Sequence, residues 1–188
     1  ISAHQRPPIK SLLFGLSTVM AIGCIASVPS ISADPSLVAT LFGFLFALLI
    51  WAWLELMFLM GIVTGPNKSL APRGLSVGQK FKRALATMIY HEVVVISVIG
   101  LTFFLGGEQP TNPLIFYVLL VLWVMRCSTK LNLFFGVRHF NHGWLPKSHK
   151  HVASYVSVGK NSALMTPSSS LAAILALLLF SRAFATED

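Results

Sequence analysis

The sequence predicts an all-α, polytopic membrane helical bundle with about five transmembrane helices, and three observations carry that expectation. Apolar residues make up 55% of the 188 residues and charged residues only 11%, well away from a soluble composition. The apolar residues come in blocks that suit a hydrocarbon core about 30 Å thick. Lys and Arg gather in alternate gaps between those blocks, which is how membrane topology is written. Residues 1–188 are expected to form a single transmembrane domain.

The first span is expected near 12–31, after a polar stretch with Arg6, Pro7, Pro8 and Lys10. Pro29 should bend or end it, because proline lacks the backbone donor of a helix interior. Ser32, Asp34 and Pro35 then make a turn without a basic residue. The second span, near 37–63, is about 40 Å if fully helical and must tilt or protrude. It stops at Thr64-Gly65-Pro66, a helix-ending combination. The loop 64–83 carries Lys68, Arg73, Lys80, Lys82 and Arg83 without an acid.

A third span is expected near 84–105, with Tyr90-His91-Glu92 close to its start and Gly106-Gly107 at its end. The fourth, near 113–137, must run past Arg126 and Lys130 to be long enough to cross. The basic loop 138–164 follows, and its piece 144–155 is a candidate for the membrane interface. Ser168-Ser169-Ser170 can cap a last span, which needs to begin earlier, near 165–185, to reach across. The basic N-terminus and the two basic loops place the N-terminus in the cytoplasm and the C-terminus outside it.

The formal charge of +8 is therefore a topology signal, and no nucleic-acid partner is expected. Cys24 and Cys127 lie in separate apolar segments without CxxC spacing, so no disulfide or thiolate metal site is implied. The sequence shows no P-loop, GxGxxG, nucleophile elbow or HExxH. The chain begins at Ile1 without an initiator Met, and one reading is that an earlier helix precedes it.

Function turns on the charges inside the spans. Glu55, His91, Glu92, Arg126 and Lys130 are all expected about 10–17 Å inside their helices, at one level of the bilayer. Lipid-facing charges at that depth cost at least about 2.5 kcal/mol each, so a buried polar network is expected, with Glu55 and Glu92 pairing Arg126 and Lys130. Arg126 and Lys130 stand one turn apart on one face, while Asn132 is rotated away. Such a network either locks helices together or lines a cavity for a cofactor, headgroup or proton. Metal-assisted chemistry is the weaker reading, since the donors lack a ligand spacing.

Ligation of haem or bacteriochlorophyll needs a histidine facing an apolar slot, and His91 is the candidate, with Trp51 and Trp123 as ring-stacking neighbours. The same tryptophans, with Trp53, also serve as ordinary anchors and packing groups. His139, His142, His149 and His151 have imidazole spacings that would suit a metal, but they read as a solvated basic loop near anionic lipid.

Three stretches carry a family resemblance: Trp51 to Pro66, Ile89 to Glu92, and above all Leu122-Trp-Val-Met-Arg-Cys-Ser-Thr-Lys-Leu-Asn-Leu-Phe-Phe-Gly-Val137 with Asn141 and Leu145-Pro146. Together they resemble the PuhE family, photosynthetic complex assembly protein 2 of phototrophic bacteria. Its members are somewhat longer, with a preceding membrane helix. Glu55, Gly65, Pro66, His91, Glu92, Arg126, Lys130, Asn132, Gly136 and Asn141 match the family pattern. The family tends to carry His-Glu at Leu54-Glu55, Pro-Asn at Arg138-His139 and Asn-Glu-Glu at Asn141-His142-Gly143. This chain thus lacks two acids and one histidine that a carboxylate-rich site would use.

The resemblance implies a bacterial inner or photosynthetic membrane protein that assembles or stabilises a reaction-centre and light-harvesting complex. Its partners would be the subunits of that complex and membrane lipids, anionic ones included, with Asn132, Arg138, Asn141 and Trp144 as partner-contact residues. The alternatives are a resident structural or bacteriochlorophyll-binding subunit, and a membrane enzyme acting on a pigment precursor.

Overall fold

A computed structural model describes residues 7–141, 146, 149–159 and 162–185. Helices α1 (Pro7–Ala26), α2 (Val28–Ala33), α3 (Leu37–Leu59), α4 (Val77–Leu85), α5 (Ile89–Gly106), α6 (Leu114–Phe135), α7 (Lys150–Ala153) and α8 (Met165–Ala185) follow one another along the chain. Among the described residues four segments are long and apolar enough to cross a membrane: Ile9–Ala33, which joins α1 and α2, then α3, α5 and α6. The apolar part of α8, Met165–Leu178, is shorter.

The described residues divide into two compact units. One holds the chain to Met125 together with the part between His142 and Tyr155, and the other holds Arg126–Asn141 and Val156 onward. In the first unit, Cys24 and Val28 meet Ala47, Ile50 and Leu54 of α3, Val95, Val98 and Ile99 of α5, and Ile115 and Leu119 of α6. The outward faces remain apolar, as Leu12, Leu41, Phe44, Phe104 and Val121 show. A helix surface of that kind is stable facing lipid and unfavourable facing water.

Polar groups fasten this bundle at specific points. The Trp53 indole donates to Thr18 Oγ1 at 3.0 Å, tying α3 to α1. At the opposite end of α3, the Asn112 backbone N–H and the Thr111 hydroxyl both donate to the Ser32 carbonyl, at 3.0 and 3.1 Å. Pro29 falls in the first turn of α2, where its missing N–H is harmless, so the chain breaks at Ser27 and restarts as a helix.

Several helix limits differ from the sequence expectation. Gly61, with φ of +73°, turns the chain soon after Leu59, so α3 stops short of Val63. The expected loop 64–83 contains α4, opened by a capping box in which Ser76 and Gln79 satisfy each other's backbone N–H groups. A turn through Thr87 and Met88 then separates α4 from α5. The expected cap at Ser168-Ser169-Ser170 is also absent, since α8 runs Met165–Ala185. Ser168 and Ser169 sit inside the helix and donate back to the Met165 carbonyl at 3.1 and 2.8 Å. In the second unit Val137 pairs with the chain around Val158, its N–H donating to the Ser157 carbonyl at 2.8 Å.

Candidate functional site

Glu55, His91 and Glu92 stand closer to helix ends than expected. With α3 ending at Leu59 and α5 beginning at Ile89, Glu55 lies about one turn from a terminus and His91 and Glu92 lie within a first turn. A first helical turn has backbone N–H groups without intrahelical acceptors. The Thr64 carbonyl takes one of them, accepting from the His91 N–H at 3.0 Å. Gly65 makes that approach feasible: a Cβ there would lie 2.2 Å from the Ala86 carbonyl oxygen.

His91 is wholly buried, and its ring Nε2 is 2.9 Å from the Leu54 carbonyl. A carbonyl only accepts, so Nε2 carries the proton and donates it to α3. Nδ1 makes no hydrogen bond and faces Glu92 Oε1 at 3.8 Å. The second carboxylate oxygen, Oε2, accepts from the Trp123 indole N–H at 3.2 Å. His91 and Glu92, adjacent and about 100° apart on α5, therefore reach two different helices, α3 and α6. Trp123 is a hydrogen-bond donor to the polar joint, a role its apolar context did not announce. Trp51 packs against the core of the same unit.

His149 corrects the expectation of a solvated loop. It is fully buried and His151 is 7% exposed. The His149 Nε2 donates to the Phe58 carbonyl at 2.9 Å, so it satisfies an acceptor in the last turn of α3. The Phe58 ring lies between two imidazoles, 5.1 Å from His91 and 5.0 Å from His149. Burial lowers the His149 pKa and the nearby Lys68 lowers it further, against the raising effect of the bond to Phe58. Lys68 itself donates to the Thr64 hydroxyl. Asn67 Nδ2 donates to the Tyr155 hydroxyl at 2.9 Å, and the Ser154 hydroxyl accepts from the Ala71 N–H at 2.9 Å. The segment 149–155, part of the piece 144–155 expected at the interface, is thus a strap across the end of α3 and the loop after it.

The remaining described candidates belong to the second unit. Arg126 and Lys130 lie on α6, and the pairing of Glu55 and Glu92 with them joins residues of different units and stands as a proposal. Asn132 donates through Nδ2 to the Ser168 hydroxyl at 3.1 Å, tying α6 to α8. Arg138 and Asn141 are exposed, whereas Trp144 and His142 lie outside the described residues.

A chlorin or haem metal needs an imidazole lone pair directed into a ring-sized slot. His91 has Nε2 committed to Leu54, Nδ1 turned to Glu92 and no exposed surface, so the packing around it does not fit such a group. Among the described residues no group of three or more His, Cys, Asp or Glu side chains is arranged to hold a metal ion. What the arrangement does do is join α3, α5 and α6 through one imidazole, one carboxylate and one indole.

Four apolar spanning segments fastened by inward-turned polar groups define a polytopic α-helical membrane protein. The chain belongs to the family described as "Protein of unknown function (DUF3623)", whose pattern matches residues 4–188. It is also similar to the "Uncharacterized 30.4 kDa protein in puhA 5'region" of Rhodobacter capsulatus, with 35% identity over 156 residues, or 82% of this chain. That alignment covers 54% of the relative, so the chain spans about half the length of the curated protein it matches. No solved structure matches the chain.

Proposed function

We propose that this protein assembles or stabilises a bacterial photosynthetic reaction-centre and light-harvesting complex in the inner, photosynthetic membrane. The observation that carries the proposal is its 35% identity to a protein of the puhA 5' region. The PuhE-like run from Leu122 to Val137 points the same way. On this reading the N-terminus is cytoplasmic, Glu55 and Glu92 compensate Arg126 and Lys130, and recognition of complex subunits uses apolar helix faces with Arg138, Asn141 and Trp144. The inward commitment of His91, Glu92 and Trp123 supports a scaffold: these groups bind helices of their own chain and leave the outer faces for partners.

The test is deletion of the gene in its phototrophic host and restoration in trans. Membranes of the deletion strain should lose near-infrared absorption of the complex severalfold while transcripts of the complex subunits stay level, and the restored gene should return it. Protein purified with complex intermediates in mild detergent should be substoichiometric in the mature complex. Unchanged spectra in the deletion strain, with no complex subunit co-purifying, would sink the proposal.

A further inference from the structure

Between two spanning helices the chain builds a short helix that the functional reading above does not use. α4 has no buried residue, and its apolar side chains keep exposed surface: Val77 is 66%, Phe81 38% and Leu85 41% exposed. At helical spacing, Val77, Phe81, Ala84 and Leu85 fall in one arc about 100° wide. Lys80 and Lys82 flank the two margins of that arc, and Gln79 and Arg83 stand opposite. The helix contains three cations and no acid, and Lys68 and Arg73 in the preceding loop add two more.

Its position along the chain is set by bonds at its C-terminal end. Asn67 Nδ2 donates to the Arg83 carbonyl at 2.9 Å, and the Asn67 N–H donates to the Ala86 carbonyl at 3.0 Å. The Thr87 hydroxyl closes the end by donating to the Ala84 carbonyl at 2.6 Å. Because the Thr64 carbonyl also holds the first turn of α5, α4 is tied where two spanning segments, α3 and α5, have their ends. A helix at that level, with lysines beside an open apolar arc, has the pattern of an interfacial anchor whose lysine stems lie along the hydrocarbon while their ammonium groups reach outward.

We propose that α4 lies in the membrane surface with Val77, Phe81 and Leu85 among the acyl chains, and that Lys80, Lys82 and Arg83 bind anionic phospholipid headgroups of that leaflet. The opposite sign of phosphate, the absence of acids on α4 and its continuity with two spanning helices select lipid as the occupant. This inference rests on α4 alone and is independent of any role in photosynthetic assembly.

The test uses the full chain with Cys24→Ala and Cys127→Ala and a single nitroxide label introduced by Phe81→Cys, Val77→Cys or Gln79→Cys. Each labelled protein is reconstituted into vesicles of phosphatidylcholine alone, or of phosphatidylcholine with phosphatidylglycerol in equal parts. In the anionic vesicles, labels at 77 and 81 should show an oxygen-to-nickel-chelate accessibility ratio about fivefold above the label at 79. Lys80→Gln, Lys82→Gln and Arg83→Gln together should remove the added depth that anionic lipid confers. Water-exposed labels at 77 and 81 in these bilayers, which hold no other protein, would overturn the proposal and leave the face to a protein partner. Equal depth in both lipid compositions would overturn headgroup recognition.

Discussion

The Trp123 indole N–H donates to Glu92 Oε2 across 3.2 Å, fixing an acid in the first turn of α5 against the middle of α6. A buried carboxylate oxygen left without a donor is costly, whereas one bonded by an indole orients the helices that carry it. Trp123→Phe keeps the ring packing and removes only the donor. It should destabilise the protein by about 1–2 kcal/mol in reversible unfolding from mixed micelles. In a Glu92→Gln background, which removes the charge and keeps an acceptor, the same substitution should cost less. Equal costs in both backgrounds would show that the carboxylate charge adds nothing to the bond.

His91 reaches the other way, to the Leu54 carbonyl at 2.9 Å, from a site with no exposed surface. His91→Ala removes the donor and opens a cavity, with an expected loss of about 3 kcal/mol. His91→Gln can place an amide N–H near the same carbonyl and should recover much of that loss. Unfolding curves of the two variants that coincide would remove the Leu54 bond from the explanation.

Gly65 tests the junction of the loop with α5. An alanine there would place its Cβ 2.2 Å from the Ala86 oxygen and 2.6 Å from the Thr87 carbonyl carbon. Both are backbone atoms, so the junction must shift. Gly65→Ala should cost about 3 kcal/mol or more, read as loss of monodisperse protein after detergent extraction. Gly78→Ala, where nothing lies within 4 Å, is the matched control and should be neutral or slightly stabilising.

His149 makes the strap over α3 sensitive to acid. Its folded-state pKa is lowered by burial, with Lys68 adding to the effect, below the value of about 6.5 expected of the unfolded chain. Between those two values the unfolded state binds more protons, so stability rises with pH. The contribution is complete above the unfolded value and is lost as pH falls from there toward the folded value. Protection factors at 149–155, taken relative to the intrinsic exchange rate at each pH, should therefore fall on acidification below about pH 6.5. His149→Gln retains a donor to Phe58 without a titrating ring and should flatten that dependence. An unchanged profile in the variant would assign the acid response to another group.

Much of the scaffold was legible because hydrocarbon imposes a simple rule: long uncharged apolar runs become helices, and the residues that interrupt them mark the turns. The same rule hid α4, since a short amphipathic helix does not register as an apolar block. The Ser76–Gln79 capping box and the Val77, Phe81, Leu85 spacing were its available signals. The burial of His149 had no comparable mark. Its partner is the Phe58 backbone carbonyl, and a backbone acceptor far away in sequence leaves no pattern in residue types.

By itself the sequence determined an all-α membrane chain, the order of its apolar segments and the presence of ionisable groups within or beside them, because composition and run length decide partition into lipid. Tertiary structure alone decided that His91 bonds α3 while its neighbour Glu92 meets Trp123 on α6, and that His149 closes over Phe58. Those outcomes depend on which helices pack side by side and where each helix stops. A shift of one turn at Leu59 or Ile89 would send the same side chains to different partners.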